Sequence, residues 1–133
     1  MTPFGARVRA LRAERGVTQK QLATELQIST AYLSALEHGK RGAPSAGLVH
    51  QVNEFFGLIW DAADDLASLA RLSNPRVTVN TAGMTPEQTA LANRIAQTIH
   101  RLTPETVAAM HALLDATTRQ PKPRLRRAAG SVR

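Results

Sequence analysis

The sequence of 133 residues contains no cysteine, which excludes disulfide bonds and metal sites built on thiolates. It also contains no apolar run approaching about 20 residues, the length that a membrane-spanning helix needs. The first residues, MTPFGARVRALR, lack the apolar segment of a secretory signal peptide. These absences predict a soluble, cytoplasmic protein with no membrane partner.

Features of enzymes and cofactor sites are also missing. The sequence has no glycine-rich phosphate loop, and its histidines do not have close metal-ligand spacing, so we interpret them as surface or interface residues: His38, His50, His100 and His111. Asp61, Asp64 and Asp65 stand together, but acidic residues at a helix start usually stabilise the helix through its dipole. The sequence therefore predicts no enzyme, no cofactor and no metal site, and no small-molecule ligand is evident.

The net charge of +7 is unevenly distributed along the chain. Residues 1–45 contain seven basic and three acidic residues, whereas residues 46–118 contain four basic and seven acidic residues. The tail at 119–133, RQPKPRLRRAAGSVR, has six basic residues and no acid. Basic ends indicate an anionic partner that contacts both of them, although the tail is also typical of a solubilising segment.

Two short helices are predicted at the start of the chain. Helical spacing of apolar residues predicts the first over 3–15, and Gly16 ends it. Thr18 and Gln21 form a capping box for the second, which covers 19–26. The apolar residues that we expect to face the core from these segments are Phe4, Val8, Leu11, Leu22, Ala23 and Leu26.

A third helix follows almost at once. Ser29 caps it, and it is predicted to run to His38. The connection Gln27-Ile28 is too short for antiparallel packing, and Ala23 is small where the second and third helices would cross. This pattern predicts a helix-turn-helix, whose second helix can enter the DNA major groove, with an ordinary helical hairpin as the alternative.

Two further helices complete the first half of the chain. One begins near Ser45 and ends at Gly57, and the other covers about 60–72. The expected core residues of these two helices are Leu48, Val52, Phe55, Trp60, Leu66 and Leu69. The aspartates at the start of the fifth helix would repel DNA, so we expect that end to face away from it.

Residues 3–72 resemble a known family in the following pairs and triplets: Leu11-Arg12, Thr18-Gln19, Leu22-Ala23, Ile28-Ser29, Tyr32-Leu33-Ser34, Leu36-Glu37, Gly39-Lys40 and Pro44-Ser45. They are similar to the Cro and phage-repressor type of helix-turn-helix domain, often called XRE-like. Gln27 departs from the pattern, because the family usually has glycine at this left-handed turn. The resemblance implies an all-α fold, with a five-helix lambda-repressor-like DNA-binding domain at 1–72.

The resemblance also implies roles for individual residues. Gln19, at the amino end of the second helix, would contact a DNA phosphate with Lys20 beside it, although a solvated polar pair is the alternative. Lys40 and Arg41 are predicted to contact phosphates from the loop HGKRGAPS. The residues that the third helix is predicted to present to DNA are Ser29, Thr30, Ala31, Tyr32, Ser34 and Ala35.

The predicted recognition surface contains no Arg, Asn or Gln, the side chains that make bidentate contacts to bases. Thr30 and Ser34 can hydrogen-bond to bases, and alanine methyl groups can touch thymine methyl groups. Tyr32 could contact DNA or pack against the second helix. Few strong base contacts indicate that DNA shape and phosphate contacts supply much of the affinity. A partly buried ion pair between Arg12 and Glu37, implied by the resemblance, would join the first helix to the third.

The second half begins with a segment at 73–84, where alternating Val77 and Val79 are compatible with a short strand or an extended linker. Two stretches then open with Thr-Pro-Glu, eighteen residues apart, and predict a helical hairpin over 85–118 with a disordered basic tail at 119–133. The hairpin could dock on the first domain, but we favour a homodimer formed through an apolar surface: Leu91, Ile95, Ile99, Leu113 and Leu114.

The predicted function is that of a sequence-specific transcription regulator, a dimeric repressor that binds double-stranded DNA and occludes a promoter. Two alternatives remain open. The chain could be an antitoxin whose second half neutralises a toxin, in which case a second polypeptide should co-purify with it. It could also be a protein-interaction adaptor that uses the same fold, in which case specific DNA should not compete better than random DNA.

Overall fold

A computed structural model describes residues 1–119, which contain helices and connecting segments but no strand. The elements are α1 (Pro3–Arg15), α2 (Gln19–Leu26), α3 (Thr30–Glu37), α4 (Ala46–Phe56), α5 (Asp61–Arg71), α6 (Pro86–Thr98), a 3-10 turn (Ile99–Arg101) and α7 (Pro104–Arg119). The predicted all-α class is confirmed, with five helices followed by two more. The predicted disordered tail lies outside the described residues from position 120 onward.

The chain divides into two units, of which the first covers residues 1–78 and the second begins at Val79. All five helices of the first unit contribute apolar side chains to one core: Phe4, Val8, Leu11, Leu22, Ala23, Leu26, Leu33, Leu36, Leu48, Val49, Val52, Phe56, Leu66 and Ala70. This burial is the main force that holds five short helices together, because isolated helices of 8 to 13 residues are marginal in water.

Short polar side chains begin most helices of the first unit. Thr18 Oγ1 accepts from the backbone N–H of Gln21, whose side-chain oxygen accepts from the Thr18 N–H, so the predicted capping box is present. Ser29 caps α3 and Ser45 caps α4 by the same kind of bond to a backbone N–H three residues on. The helix starts that these residues predict are therefore the ones observed.

The start of α5 is the exception, and the prediction that Trp60 belongs to the core is wrong. Trp60 precedes the helix, makes no side-chain cap and has φ of 54°, a left-handed value that is rare for a bulky residue. Its side chain is 81% exposed. Because Trp60 lies outside the helix, the helical spacing that would have directed it toward Leu66 does not apply. Asp61 and Asp64 occupy the first turn, where the helix dipole favours negative charge.

The prediction that Phe55 is the buried aromatic residue of α4 also needs correction. Phe56 is the buried residue, and Phe55 is half-buried with its ring 4.9 Å from that of Phe56 in an edge-to-face arrangement. Leu48, Val52 and Phe56 repeat every four residues, whereas the predicted set ended with a step of three. Both steps fit a helix, so spacing alone cannot choose between adjacent phenylalanines.

Ser73 joins the beginning and the end of the first unit through two hydrogen bonds. Its hydroxyl accepts from the Phe4 backbone N–H at 2.9 Å and donates to the Leu69 carbonyl at 2.6 Å, and the residue is 2% exposed. The N–H of Phe4 is in the first turn of α1, where it has no partner within the helix. Ser73 therefore fixes the start of α1 to the end of α5.

Residues 73–85 form no strand within the single chain. In the second unit, Thr85 and Gln88 form a capping box at the start of α6. Within residues 79–118 no side chain is buried, in contrast to the first unit. None of the helices in the described part of the chain is long and apolar enough to cross a membrane.

The end of α3 lies directly against the start of α1, and glycine at position 5 permits this contact. A Cβ atom at Gly5 would lie 2.7 Å from the Glu37 Cα and closer still to the Glu37 carbonyl oxygen. Cβ atoms in proteins essentially never lie this close to another heavy atom. Both Glu37 atoms belong to the backbone, so they cannot rotate away as a flexible side chain could.

We therefore expect Gly5→Ala to lower the free energy of unfolding by about 1–3 kcal/mol or more, because α1 must move away from α3. The matched control is Gly47→Ala in α4, where a Cβ would meet only the Ser45 hydroxyl at 4.0 Å. Alanine there should be neutral or stabilising by up to about 1 kcal/mol. Urea unfolding followed by circular dichroism would measure both. Equal effects of the two changes would contradict the close approach at Gly5.

Candidate nucleic-acid interface

The connection between α2 and α3 is a tight left-handed turn. The N–H of Ile28 donates to the Ala23 carbonyl at 3.0 Å, and the N–H of Gln27 donates to the Thr24 carbonyl at 3.1 Å, which is the Schellman pattern. Gln27 has φ of 59°, so it adopts the conformation for which glycine is usual, at a cost of about 1 kcal/mol. Ser29 then caps α3 at once, which leaves only a short connection between the two helices.

One side of α3 is buried and the other faces solvent. Leu33 and Leu36 are 1% and 3% exposed and belong to the core. On the other side, Ser29, Thr30 and Ala31 are exposed, and Ser34 and Ala35 are half-buried. All five were predicted to face DNA, and the structure leaves each of them accessible.

A shallow hollow lies on this outer side of α3. Its lining brings together four residues that were predicted to contact DNA and one that was predicted only as a surface or interface residue: Ala31, Ser34, Ala35, Lys40 and His38. The one signal in the sequence that could have placed His38 here is its position four residues after Ser34, on the same helical face.

Tyr32 and Arg41 lie together beside this helix. Tyr32 is half-buried and packs against the core, so of its two predicted roles the structure favours packing. The guanidinium of Arg41 lies 5.5 Å from the centre of the Tyr32 ring, within range of a cation–π interaction. The aromatic ring thereby positions a cation of the loop that follows α3.

Behind α3, the carboxylate of Glu37 accepts hydrogen bonds from two other helices. Arg12 in α1 donates to Glu37 from Nε at 2.8 Å and from Nη2 at 2.9 Å, and Nη1 donates to the Val17 carbonyl at 3.2 Å. Gln19 at the start of α2 donates from Nε2 at 3.0 Å. The side chain of Glu37 is 1% exposed and that of Arg12 is 16% exposed. The planar fork of the guanidinium suits this two-point contact.

The geometry of Gln19 adds a detail that the sequence did not provide. Its side-chain amide donates inward to Glu37, so only the remaining N–H and the amide oxygen are available to DNA. Lys20, Lys40 and Arg41 are all exposed. The predicted phosphate contacts therefore comprise three exposed cations and one glutamine whose side chain is fixed by the buried ion pair.

Comparisons with known proteins agree with this geometry. A family model described as helix-turn-helix domain matches residues 3–73. The HTH-type transcriptional repressor RghR of Bacillus subtilis is 44% identical over 54 residues, which cover 41% of this chain and 40% of that protein. The HTH-type transcriptional regulator RamB of Mycobacterium tuberculosis is 40% identical over 74 residues, which cover 53% of this chain and 15% of that protein. No solved structure gives a significant match.

The match thus spans less than half the length of each of these relatives.

The contacts of Glu37 generate a stability prediction. Arg12→Ala leaves a buried carboxylate without its cation, so we expect the free energy of unfolding to fall by about 3–5 kcal/mol. Glu37→Gln should also destabilise, and the double variant should lose less than the sum of the two single changes. Arg9→Ala, which removes an exposed cation of the same helix, should change stability by no more than about 0.5 kcal/mol.

Urea unfolding of the wild-type chain, the two single variants and the double variant completes a double-mutant cycle, which measures the coupling between Arg12 and Glu37. Strictly additive losses would show that Arg12 and Glu37 do not stabilise each other.

Proposed function

Because this chain belongs to the helix-turn-helix domain family, we propose that it is a sequence-specific DNA-binding transcription regulator and acts as a dimeric repressor. The observation that carries the proposal is the accessible outer side of α3, which follows a tight turn from α2 and is bordered by Lys40. In such an arrangement α3 enters the major groove and α2 lies across the sugar-phosphate backbone. The function is one of binding, with no catalytic step.

Phosphate contacts would supply much of the affinity in this proposal. Lys20, Lys40 and Arg41 are exposed, and none of them forms an ion pair with an acidic side chain in the described residues. Neutralising phosphates releases counterions from DNA, which favours binding to any sequence. Gln19 would add a hydrogen bond at the start of α2, where backbone N–H groups and the helix dipole favour an anion. Its bond to Glu37 fixes the distance between that contact and α3.

Base contacts would come from small side chains on α3. Thr30 and Ser34 provide hydroxyl groups, and Ala31 and Ala35 provide methyl groups that fit thymine methyl groups. Each is a weaker contact than the bidentate pair that an arginine makes with guanine. A protein with this surface would therefore depend on sequence-dependent DNA shape as well as on direct contacts.

The second unit supports the dimer in the proposal. Within residues 79–118 no side chain is buried, although both helices carry apolar residues. The two helices form an apolar groove, which is lined by Ile95, Ile99, Leu102, Val107, Met110, His111 and Leu114. Contiguous apolar patches on a protein surface commonly mark sites of association. A second copy would cover them and place two α3 helices in successive major grooves, about 34 Å apart.

Repression would follow from occupancy of the promoter DNA by the protein. A dimer on an inverted repeat within a promoter prevents RNA polymerase from binding the same DNA. The relative RghR is named as a transcriptional repressor, which favours repression over activation. A cytoplasmic location, as predicted from the sequence, agrees with a protein that acts on bacterial or phage DNA.

The first test concerns the loop cations. Lys40→Ala and Arg41→Ala should each weaken binding to specific and random duplexes to a similar extent. Each should also lower the slope of log affinity against log salt concentration by about 1, since one phosphate contact is lost. Arg94→Ala in α6 removes the same charge outside the predicted surface and should leave the slope unchanged. Fluorescence anisotropy at several salt concentrations measures all three.

A variant that changed base preference at constant slope would refute the phosphate assignment. Equal affinity of the wild-type chain for every duplex would instead support the adaptor, whose surface no longer distinguishes sequences.

The second test concerns the dimer. Leu91 and Ile99 are 55% and 58% exposed within one chain, so Leu91→Asp and Ile99→Asp should leave the monomer folded. If their stripe lies between two copies, buried aspartates should dissociate the dimer and weaken specific DNA binding strongly, because linked binding to two half-sites is lost. Gln97→Asp, on the opposite face of α6, is the matched control and should remain dimeric.

Sedimentation at micromolar concentration reports the assembly state, and circular dichroism checks the fold. A monomeric wild-type chain would remove the dimer from the proposal. If the aspartate variants stay dimeric, the dimer contact lies elsewhere. A truncation that keeps the Ser73 hydrogen bonds, ending after Thr78, would locate it.

A further inference from the structure

We propose that the hollow beside His38 is a specific base-contacting site, in which His38 Nε2 accepts a hydrogen bond from the exocyclic amino group of adenine or cytosine. In the same site, the methyl group of a neighbouring thymine lies against Ala31 and Ala35. This inference rests on the proposed DNA-binding function. It adds His38 as a determinant of sequence preference. The preferred base would be one with an exocyclic amino group in the major groove, next to a thymine.

The first support is the hydrogen bonding of the His38 ring. Nδ1 lies 2.8 Å from the Ser34 carbonyl oxygen. A carbonyl oxygen can only accept, so Nδ1 must carry the hydrogen. In the neutral ring the other nitrogen, Nε2, is then an acceptor. The chain itself thus selects one tautomer of His38 and orients the ring against its own helix.

The second support is the place of His38 on α3. It lines the hollow together with Ala31, Ser34, Ala35 and Lys40, and the ring is exposed. The helix has eight residues and is about 12 Å long, at 1.5 Å per residue. The major groove is wide enough to admit an α-helix, so in this proposal the short α3 lies in the groove with its last turn, as well as its first, near base edges.

The third support is the chemistry of the hollow. Ala31 and Ala35 contribute methyl groups, which suit the thymine methyl and offer no hydrogen bond to other groups. The bases that present an amino group in the major groove are adenine, at N6, and cytosine, at N4. Lys40 at the rim would contact a phosphate and hold the backbone beside the hollow. With no Asn or Gln on this side of α3, the side-chain acceptors available to the bases are His38 Nε2 and the hydroxyl oxygens of Thr30 and Ser34.

A selection from duplexes with a randomised central segment tests this assignment. The wild-type chain should select adenine or cytosine at one position, next to a thymine. His38→Ala should lose that preference by about 2- to 12-fold, the range for one hydrogen bond, and keep preferences elsewhere. His38→Gln should shift the same position toward adenine, for which a glutamine amide is the matching partner. His100→Ala in the second unit is the control and should change nothing.

Base analogues test the thymine contact separately. Replacing the neighbouring thymine by deoxyuridine removes one methyl group and should weaken wild-type binding by about 4-fold. Replacing thymine at positions outside the selected site should have little effect. Unfolding midpoints of the His38 variants, measured by circular dichroism, distinguish a lost contact from a lost fold.

Other outcomes overturn the proposal. If His38→Ala keeps every base preference, or weakens all sequences equally, His38 is not a base-contacting residue even though the chain binds DNA. If the wild-type chain selects no sequence at all, the proposed function fails, and the site at His38 fails with it.

Discussion

The position of α3 depends on the carboxylate of Glu37, which lies at the end of this helix and is almost completely buried. The carboxylate accepts two hydrogen bonds from Arg12 in α1 and one from Gln19 in α2. A buried carboxylate without such partners would be strongly unfavourable, so α1 and α2 can hold only positions that maintain them. The backbone of the same residue also contacts α1 at Gly5. Side chain and backbone of Glu37 therefore fix α3 from behind.

Because α3 is fixed from its inner side, its outer side needs no structural partners. Ser29, Thr30 and Ala31 are exposed there, and the half-buried Ser34 and Ala35 complete the surface. Gln19 connects the two sides, since its amide donates to Glu37 while the residue stands at the amino end of α2. A surface held in this way is preorganised for a ligand, which reduces the entropy lost on binding.

The two units differ in how much of their apolar side-chain surface they bury. The first unit encloses its apolar side chains, with Val8 and Leu22 fully buried. The second has amphipathic helices but no buried side chain within residues 79–118, and Leu113 remains 70% exposed. Such faces gain stability only by association. This contrast is the physical reason for the proposal that the first unit contacts DNA and the second self-associates.

The sequence by itself determined the local features: the helix starts at Thr18, Ser29 and Ser45, the turn after Leu26, and the all-helical class. These depend on contacts within about four residues, which a linear pattern records. It also placed the polar and small residues of α3 on one side. Only the tertiary structure decided which of Phe55 and Phe56 is buried and that Trp60 is exposed.

Long-range contacts were likewise invisible in the linear pattern. Gly5 in α1 lies against the backbone of Glu37 in α3. The hydroxyl of Ser73 accepts a hydrogen bond from the backbone N–H of Phe4, 69 residues earlier in the chain. The inward direction of the Gln19 amide belongs to the same class, because it depends on where Glu37 lies in space. Spacing specifies the face of a helix, but only packing specifies what that face meets, since many partners fit the same periodicity.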